Sequence, residues 1–161
     1  MRLLGVEFGM AGTHWLKDVA IGGVTGIAFL FFSSLLPSLF SLGQPRFLGL
    51  AAVTAFLIVV VLAPVLEELF FSGALRNLLM SGFNINPVTA AFVIATAFAA
   101  FHAYAFTAGY YASVQSPFVG AFLFSLLMSA ALFAFQTNNV LTTITAHGVV
   151  NAATLSKLVV V

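Results

Sequence analysis

Residues 47–80 read FLGLAAVTAFLIVVVLAPVLEELFFSGALRNLLM. No charge interrupts the run from Phe47 to Leu66, and then two glutamates stand side by side, Glu67 and Glu68. A bilayer-crossing helix needs about 20 apolar residues. In lipid the backbone must satisfy its own polar groups, which makes such a run a helix. Its helical pattern continues through the glutamates to Met80, for a length of about 51 Å at helical rise. A hydrocarbon core is only about 30 Å thick, so this helix projects from the bilayer or bends. Pro64, which lacks an N–H and frees a carbonyl one turn earlier, is the natural bend.

The rest of the chain agrees with a membrane protein. Its 161 residues are 62% hydrophobic and 6% charged, with a mean hydropathy of +1.17. Soluble domains carry about 25% charged residues. Five basic and four acidic side chains cannot cover a soluble globule, so a soluble enzyme, a disordered chain and a coiled coil are all excluded. The 19 phenylalanines suit lipid-facing and helix-packing surface. A net charge of +1 with no basic run argues against a nucleic-acid partner. Without cysteine there is no disulfide, thiolate zinc site or cysteine nucleophile. The apolar run after Met1 breaks at Glu7 with no small-residue cleavage site, so no cleaved signal peptide is expected.

Four further segments accompany the quoted one. Val19–Phe40, Pro87–Phe106 and Pro117–Phe135 are apolar; the last, from Asn139 onward, is Thr-rich at first and apolar at its end. Short connectors with turn chemistry separate them, at 41–45, 81–84 and 136–138. The expected fold is all-α: a multi-pass transmembrane helical bundle of five to six helices, with the quoted helix bent at Pro64. It forms one membrane domain over 1–161, with an interfacial segment over 1–18 and a motif-bearing core over 47–155. Its expected location is the cell membrane. His14, Trp15, Lys17 and Asp18 read as an anchor at headgroup level. Gly22 and Gly26 read as a helix-packing pair.

Polar residues inside such segments are expensive and mark function by default. Besides Glu67 and Glu68 they are His102, His147 and Asn151. His147 and Asn151, four apart, share one helix face, and Phe98 sits one turn before His102. Glu67 and Glu68 lie about 100° apart around a helix, so one faces a cavity and the other needs a separate partner. One glutamate, two imidazoles and an amide suit hydrolysis of a peptide or similar carbonyl. A carboxylate serves as general base on water, and one imidazole holds that water or supplies a proton. The second imidazole and the amide then donate to the developing oxyanion. Glu67, His102 and His147 could equally hold a zinc ion with an open position for water. Each residue also has a bland role: a transmembrane His or Asn is commonly a hydrogen bond between helices.

The run Pro64-Val65-Leu66-Glu67-Glu68-Leu69-Phe70-Phe71-Ser72-Gly73, then Phe98-x-x-x-His102, then His147-x-x-x-Asn151, resembles the three motifs of the CPBP intramembrane proteases. That family joins CAAX prenyl endopeptidases with bacteriocin-processing and self-immunity proteins, and the resemblance spans about Phe47 to Asn151. It implies an endopeptidase acting on a peptide or prenylated protein. In it Glu67 activates water, with Glu68 beside it, His102 helps hold the water, and His147 and Asn151 form the oxyanion site. Members have been described both as metalloproteases and as glutamate-dependent proteases. Two departures stand out. Where the family reads Glu-Glu-x-x-x-Arg this chain has Ser72, which takes from Glu68 its partner one turn on. Family members also carry further helices before the first motif, so a second copy of the chain could supply a cavity wall. The alternative reading is a catalytically inactive member acting as a membrane immunity or scaffold protein.

The two histidines stand at different depths along their helices. His102 lies 15 residues into its segment and His147 eight into its own, a mismatch of about 10 Å that tilt must absorb.

Overall fold

The computed structural model describes residues 2–3, 6–7, 14–35, 52–107, 117–137 and 139–159. The connector at 41–45, the neighbouring ends of the first two apolar segments and Asn138 lie outside the described residues. Within them the chain forms five helices: α1 (His14–Leu35), α2 (residues 52–82), α3 (Pro87–Thr107), α4 (Pro117–Ala134) and α5 (Val140–Val159). A two-residue antiparallel pair precedes them, β1 (Arg2–Leu3) with β2 (Val6–Glu7). The fold is the expected all-α bundle. Three stretches are long and apolar enough to cross a membrane, His14–Leu35, Leu57–Gly82 and Pro87–Tyr104, and Phe118–Ala134 and Val140–Leu155 are shorter apolar helices.

Packing divides the bundle into two helix pairs, α1 with α5 and α3 with α4, and α2 lies against both α5 and α3. The α1–α5 contact is made by the glycine pair. A Cβ at Gly22 would sit 2.3 Å from the Thr142 carbonyl oxygen, and one at Gly26 2.8 Å from that of Ala146. Only glycine permits backbones to approach so closely, as the small-residue spacing implies. Because both contacts are to α5 backbone on either side of Thr145, they set where His147 and Asn151 stand.

Helix α1 starts among the residues expected at headgroup level. His14, Trp15, Leu16 and Lys17 are exposed, but Asp18 is buried. Its two oxygens accept hydrogen bonds from Thr137 Oγ1 and Asn139 Nδ2, each at 2.7 Å. Asn139 in turn caps α5, accepting from the Leu141 amide at 3.0 Å. The carboxylate is thus a clamp between the start of α1 and the start of α5, and helix α1 begins before the charge-free run because that charge is taken inside.

The connectors carry the expected turn chemistry. Asn84 and Gln136 adopt left-handed φ of 53° and 50°, and Asn86 caps α3 by accepting from the Thr89 amide at 2.9 Å. A chain of aromatic rings forms the core, with Phe29–Phe124 centroids 5.0 Å apart and Phe71–Phe98 5.2 Å. Phe31, Phe32 and Phe133 instead face outward.

Helix α2 departs from α geometry around Pro64. Leu57–Leu62, Leu69–Leu75 and Leu78–Gly82 are wound as wider π-type turns, while the backbone stays in the right-handed helical region at Leu62 and Ala63. The Ala63 amide donates five residues back, to Ile58. The next bond in that register would run from Pro64 to Val59, and Pro64 has no N–H to give.

Candidate active site

The adjacent glutamates of α2 point to different partners, as their angular separation requires. Glu68 is 2% exposed and turned toward α5. Its Oε1 accepts from His147 Nδ1 at 2.9 Å and its Oε2 from the Ser72 hydroxyl at 2.5 Å, with the Thr143 hydroxyl a further neighbour. The loss of a partner one turn on, expected from the missing arginine, is therefore corrected. Ser72 occupies the same i+4 place and bonds the carboxylate directly.

Glu67 turns toward the two imidazoles. Its Oε2 lies 3.7 Å from His102 Nε2 and 4.0 Å from His147 Nε2. That oxygen is buried and has no hydrogen-bond partner among the described residues. Glu67 and His102 keep side-chain exposures of 19% and 18%, against 6% for His147.

Both imidazoles are oriented from behind. His102 Nδ1 sits 2.9 Å from the Phe98 carbonyl oxygen, which can only accept, so Nδ1 carries the proton. Its ring lies against Phe98, centroids 4.3 Å apart. His147 Nδ1 donates to Glu68 in the same way, and its ring edge meets Phe124 at 5.2 Å and Phe98 at 5.8 Å. In their neutral forms both rings therefore present a bare Nε2 toward Glu67. The 10 Å depth mismatch anticipated between the two histidines is absorbed by the packing, since both reach one carboxylate oxygen.

Asn151 lies one turn beyond His147 on α5, and its Nδ2 donates to the Val59 carbonyl oxygen at 2.9 Å. That is the carbonyl Pro64 leaves without a donor in the widened register. One amide hydrogen of Asn151 is thus committed to holding α2.

Glu67, His102 and His147 together offer one ligand atom each, all within 4.8 Å of one another. Two imidazole nitrogens and a carboxylate oxygen are the donor types of a catalytic zinc site. Each ring also donates its other N–H to a carbonyl or carboxylate, as metal-ligating histidines commonly do. Together with the unpartnered Glu67 oxygen, this makes the residues fit for zinc.

Three sequence motifs thus meet at one place, and sequence reasoning missed two of its members. They are Ser72, which stands in the sequence as a departure from the motif, and Val59, an apolar residue with no polar side chain to mark it. The i+4 spacing from Glu68 could have shown the first; only the tertiary structure shows the second.

No curated protein and no solved structure matches the chain. A family model described as type II CAAX prenyl endopeptidase Rce1-like matches residues 49–153. That span begins ahead of the widened turn at Pro64 and closes just past Asn151, so it takes in every residue of the cluster. The chain accordingly belongs to the Rce1-like family of type II CAAX prenyl endopeptidases, a family of intramembrane proteases.

Proposed function

We propose that this protein is an intramembrane endopeptidase in which Glu67 takes a proton from water and directs it at a peptide carbonyl. The observation that carries this reading is the buried, unpartnered Oε2 of Glu67 facing two bare Nε2 atoms. Such a convergence of acceptors suits a water molecule, whose two hydrogens can go to Glu67 and His102. As the water oxygen bonds to the carbonyl carbon, its proton passes to Glu67, and the carbonyl electrons move onto oxygen. Collapse of that intermediate breaks the C–N bond, and Glu67 returns the proton to the departing amine. The oxyanion is met by the second amide hydrogen of Asn151 and by His147. To donate there His147 must carry a second proton on Nε2, and the Glu68 carboxylate behind Nδ1 is the counter-charge for that state.

The substrate class is a peptide or protein with a prenylated end, and the protein works as a multi-pass protein of the cell membrane. A second copy completing the cavity wall remains part of the proposal. The orientation of both imidazoles favours a second, metallopeptidase reading of the same residues. A zinc ion held by Glu67, His102 and His147 would supply Lewis acidity toward water and carbonyl. In that case chelation stops hydrolysis and metal analysis finds about one equivalent of zinc per chain; a metal-free preparation of full activity would dismiss it. The Ser72–Glu68 bond supports catalysis over the non-catalytic immunity or scaffold reading, because it removes the vacancy on which that reading stood.

The test is cleavage of prenylated and unprenylated fluorogenic peptides in proteoliposomes. Glu67→Ala is expected to lower turnover by about 10²–10⁴-fold while the protein still inserts and unfolds at the wild-type temperature. Equal cleavage by wild type and Glu67→Ala would overturn the assignment.

A further inference from the structure

We infer that Ser72 is a positioning residue, the outer end of a relay Ser72–Glu68–His147 that sets which nitrogen of His147 faces the reacting centre. The inference rests on the protease reading for its consequence, but not for its geometry. The Ser72 hydroxyl donates to Glu68 Oε2 at 2.5 Å, and the other carboxylate oxygen takes the Nδ1–H of His147 at 2.9 Å. Glu68 and His147 are almost fully buried, at 2% and 5% exposure. The neighbouring Thr143 hydroxyl gives its hydrogen to the Val140 carbonyl at 2.9 Å, so without Ser72 the carboxylate is held firmly at one oxygen alone, can rotate about its terminal bond, and the imidazole loses its fixed acceptor. Bonded at both, it has a single orientation, and so has the ring. Ser72 lies in the π-wound part of α2, one turn beyond Glu68, where a short side chain reaches back to the carboxylate.

The charge arithmetic differs from that of a Glu-Glu-x-x-x-Arg motif. An arginine at residue 72 would give Glu68 a permanent cation. The serine gives it a hydrogen bond and no charge, leaving His147 as the group on which the carboxylate's charge acts. The arrangement assigns Glu68 to orientation and counter-charge and leaves Glu67 alone as the base. Ser72→Arg is then an intrusion into a satisfied buried cluster, and it does not restore anything.

The experiment pairs two readouts on protein in lipid nanodiscs. Ring-¹⁵N-labelled histidine reports by NMR which nitrogen of each ring is protonated, and the peptide assay reports kcat and KM. Wild type is expected to show His147 held with Nδ1 protonated. Ser72→Ala is expected to shift and broaden the His147 Nδ1–H signal, as the ring loses its fixed acceptor, and to lower kcat about 10-fold with KM unchanged. The His102 resonances should stay in place. Ser72→Thr, which keeps the hydroxyl, restores both. An unchanged His147 signal in Ser72→Ala overturns the relay. So does a shift of His102 as large as that of His147, which would mean general loosening, or a Ser72→Arg variant more active than wild type. If no variant, wild type included, cleaves peptide but the NMR changes appear as stated, the relay stands and the protease reading fails.

Discussion

Glu67 and Glu68 share a residue type and differ in everything their neighbours impose. Glu68 is tied to two hydroxyl or imidazole donors on the inside of the bundle, while Glu67 Oε2 faces two acceptors. The two positions should therefore respond oppositely to substitution. Glu68→Ala strands His147 and removes a buried hydrogen-bonded pair, an expected loss of about 3–5 kcal/mol. Unfolding in mixed micelles would measure it. Glu67→Gln is expected to leave that stability unchanged and to remove hydrolysis. The sequence shows that both cannot face one water, since the angle between them follows from helix geometry alone. It does not show which one turns inward. That depends on α5 standing where His147 meets Glu68.

Two helix-level features position the site. The first is the bond from Asn151 to the Val59 carbonyl across α2 and α5. Its origin is Pro64, whose absent N–H leaves that carbonyl open in the five-residue register started by Ala63. Asn151→Ala should destabilise the protein by about 1–3 kcal/mol, the usual cost of an unsatisfied buried group. Pro64→Ala returns an N–H to the same register. In a double-mutant cycle the loss caused by Asn151→Ala should then shrink by about 1 kcal/mol; strict additivity would show that the proline and the asparagine act independently. The second feature is the glycine seam. A Cβ at Gly22 meets the Thr142 carbonyl at 2.3 Å, whereas one at Gly23 meets nothing within 4 Å. Gly22→Ala should lower the unfolding temperature and the activity together, at about 1–3 kcal/mol for an overpacked contact. Gly23→Ala should be neutral or stabilising by up to about 1 kcal/mol, because alanine is the better helix former. The spacing of Gly22 and Gly26 is legible in the sequence as a packing pair. Its partner is not, because any helix with exposed carbonyls and small steps could have served.

Among the described residues, large apolar side chains are exposed on the outside while several polar ones are buried. Val24, Ile27, Phe31, Leu66, Phe70, Phe92 and Phe133 are exposed, while Asp18, Glu68, Thr142, Thr143 and His147 are buried. This inversion of a soluble protein's surface is what a lipid environment stabilises. The protein should stay with the membrane through an alkaline carbonate wash and leave it only in detergent. The polar clamp at Asp18 holds the two ends of the α1–α5 pair together. Asp18→Ala leaves Thr137 and Asn139 with unspent donors and should lower the unfolding temperature. Turnover per folded molecule should be unaffected, since Asp18 makes no contact with the glutamate–histidine cluster. A headgroup-level carboxylate would give no such loss of stability.

Composition alone determined that this chain lives in a membrane, because too few charges exist to solvate it. Run lengths and turn residues placed the helices, and helical periodicity put His147 with Asn151 and set Glu67 apart from Glu68. These are local matters, decided within a few residues by backbone geometry and solvation. The convergence of three motifs on one carboxylate oxygen is not local. Neither is the inward burial of Asp18, whose donors Thr137 and Asn139 stand 119 and 121 residues further along the chain. Each depends on contacts between residues dozens of positions apart, and only the packing of α1, α2, α3 and α5 brings those residues within reach.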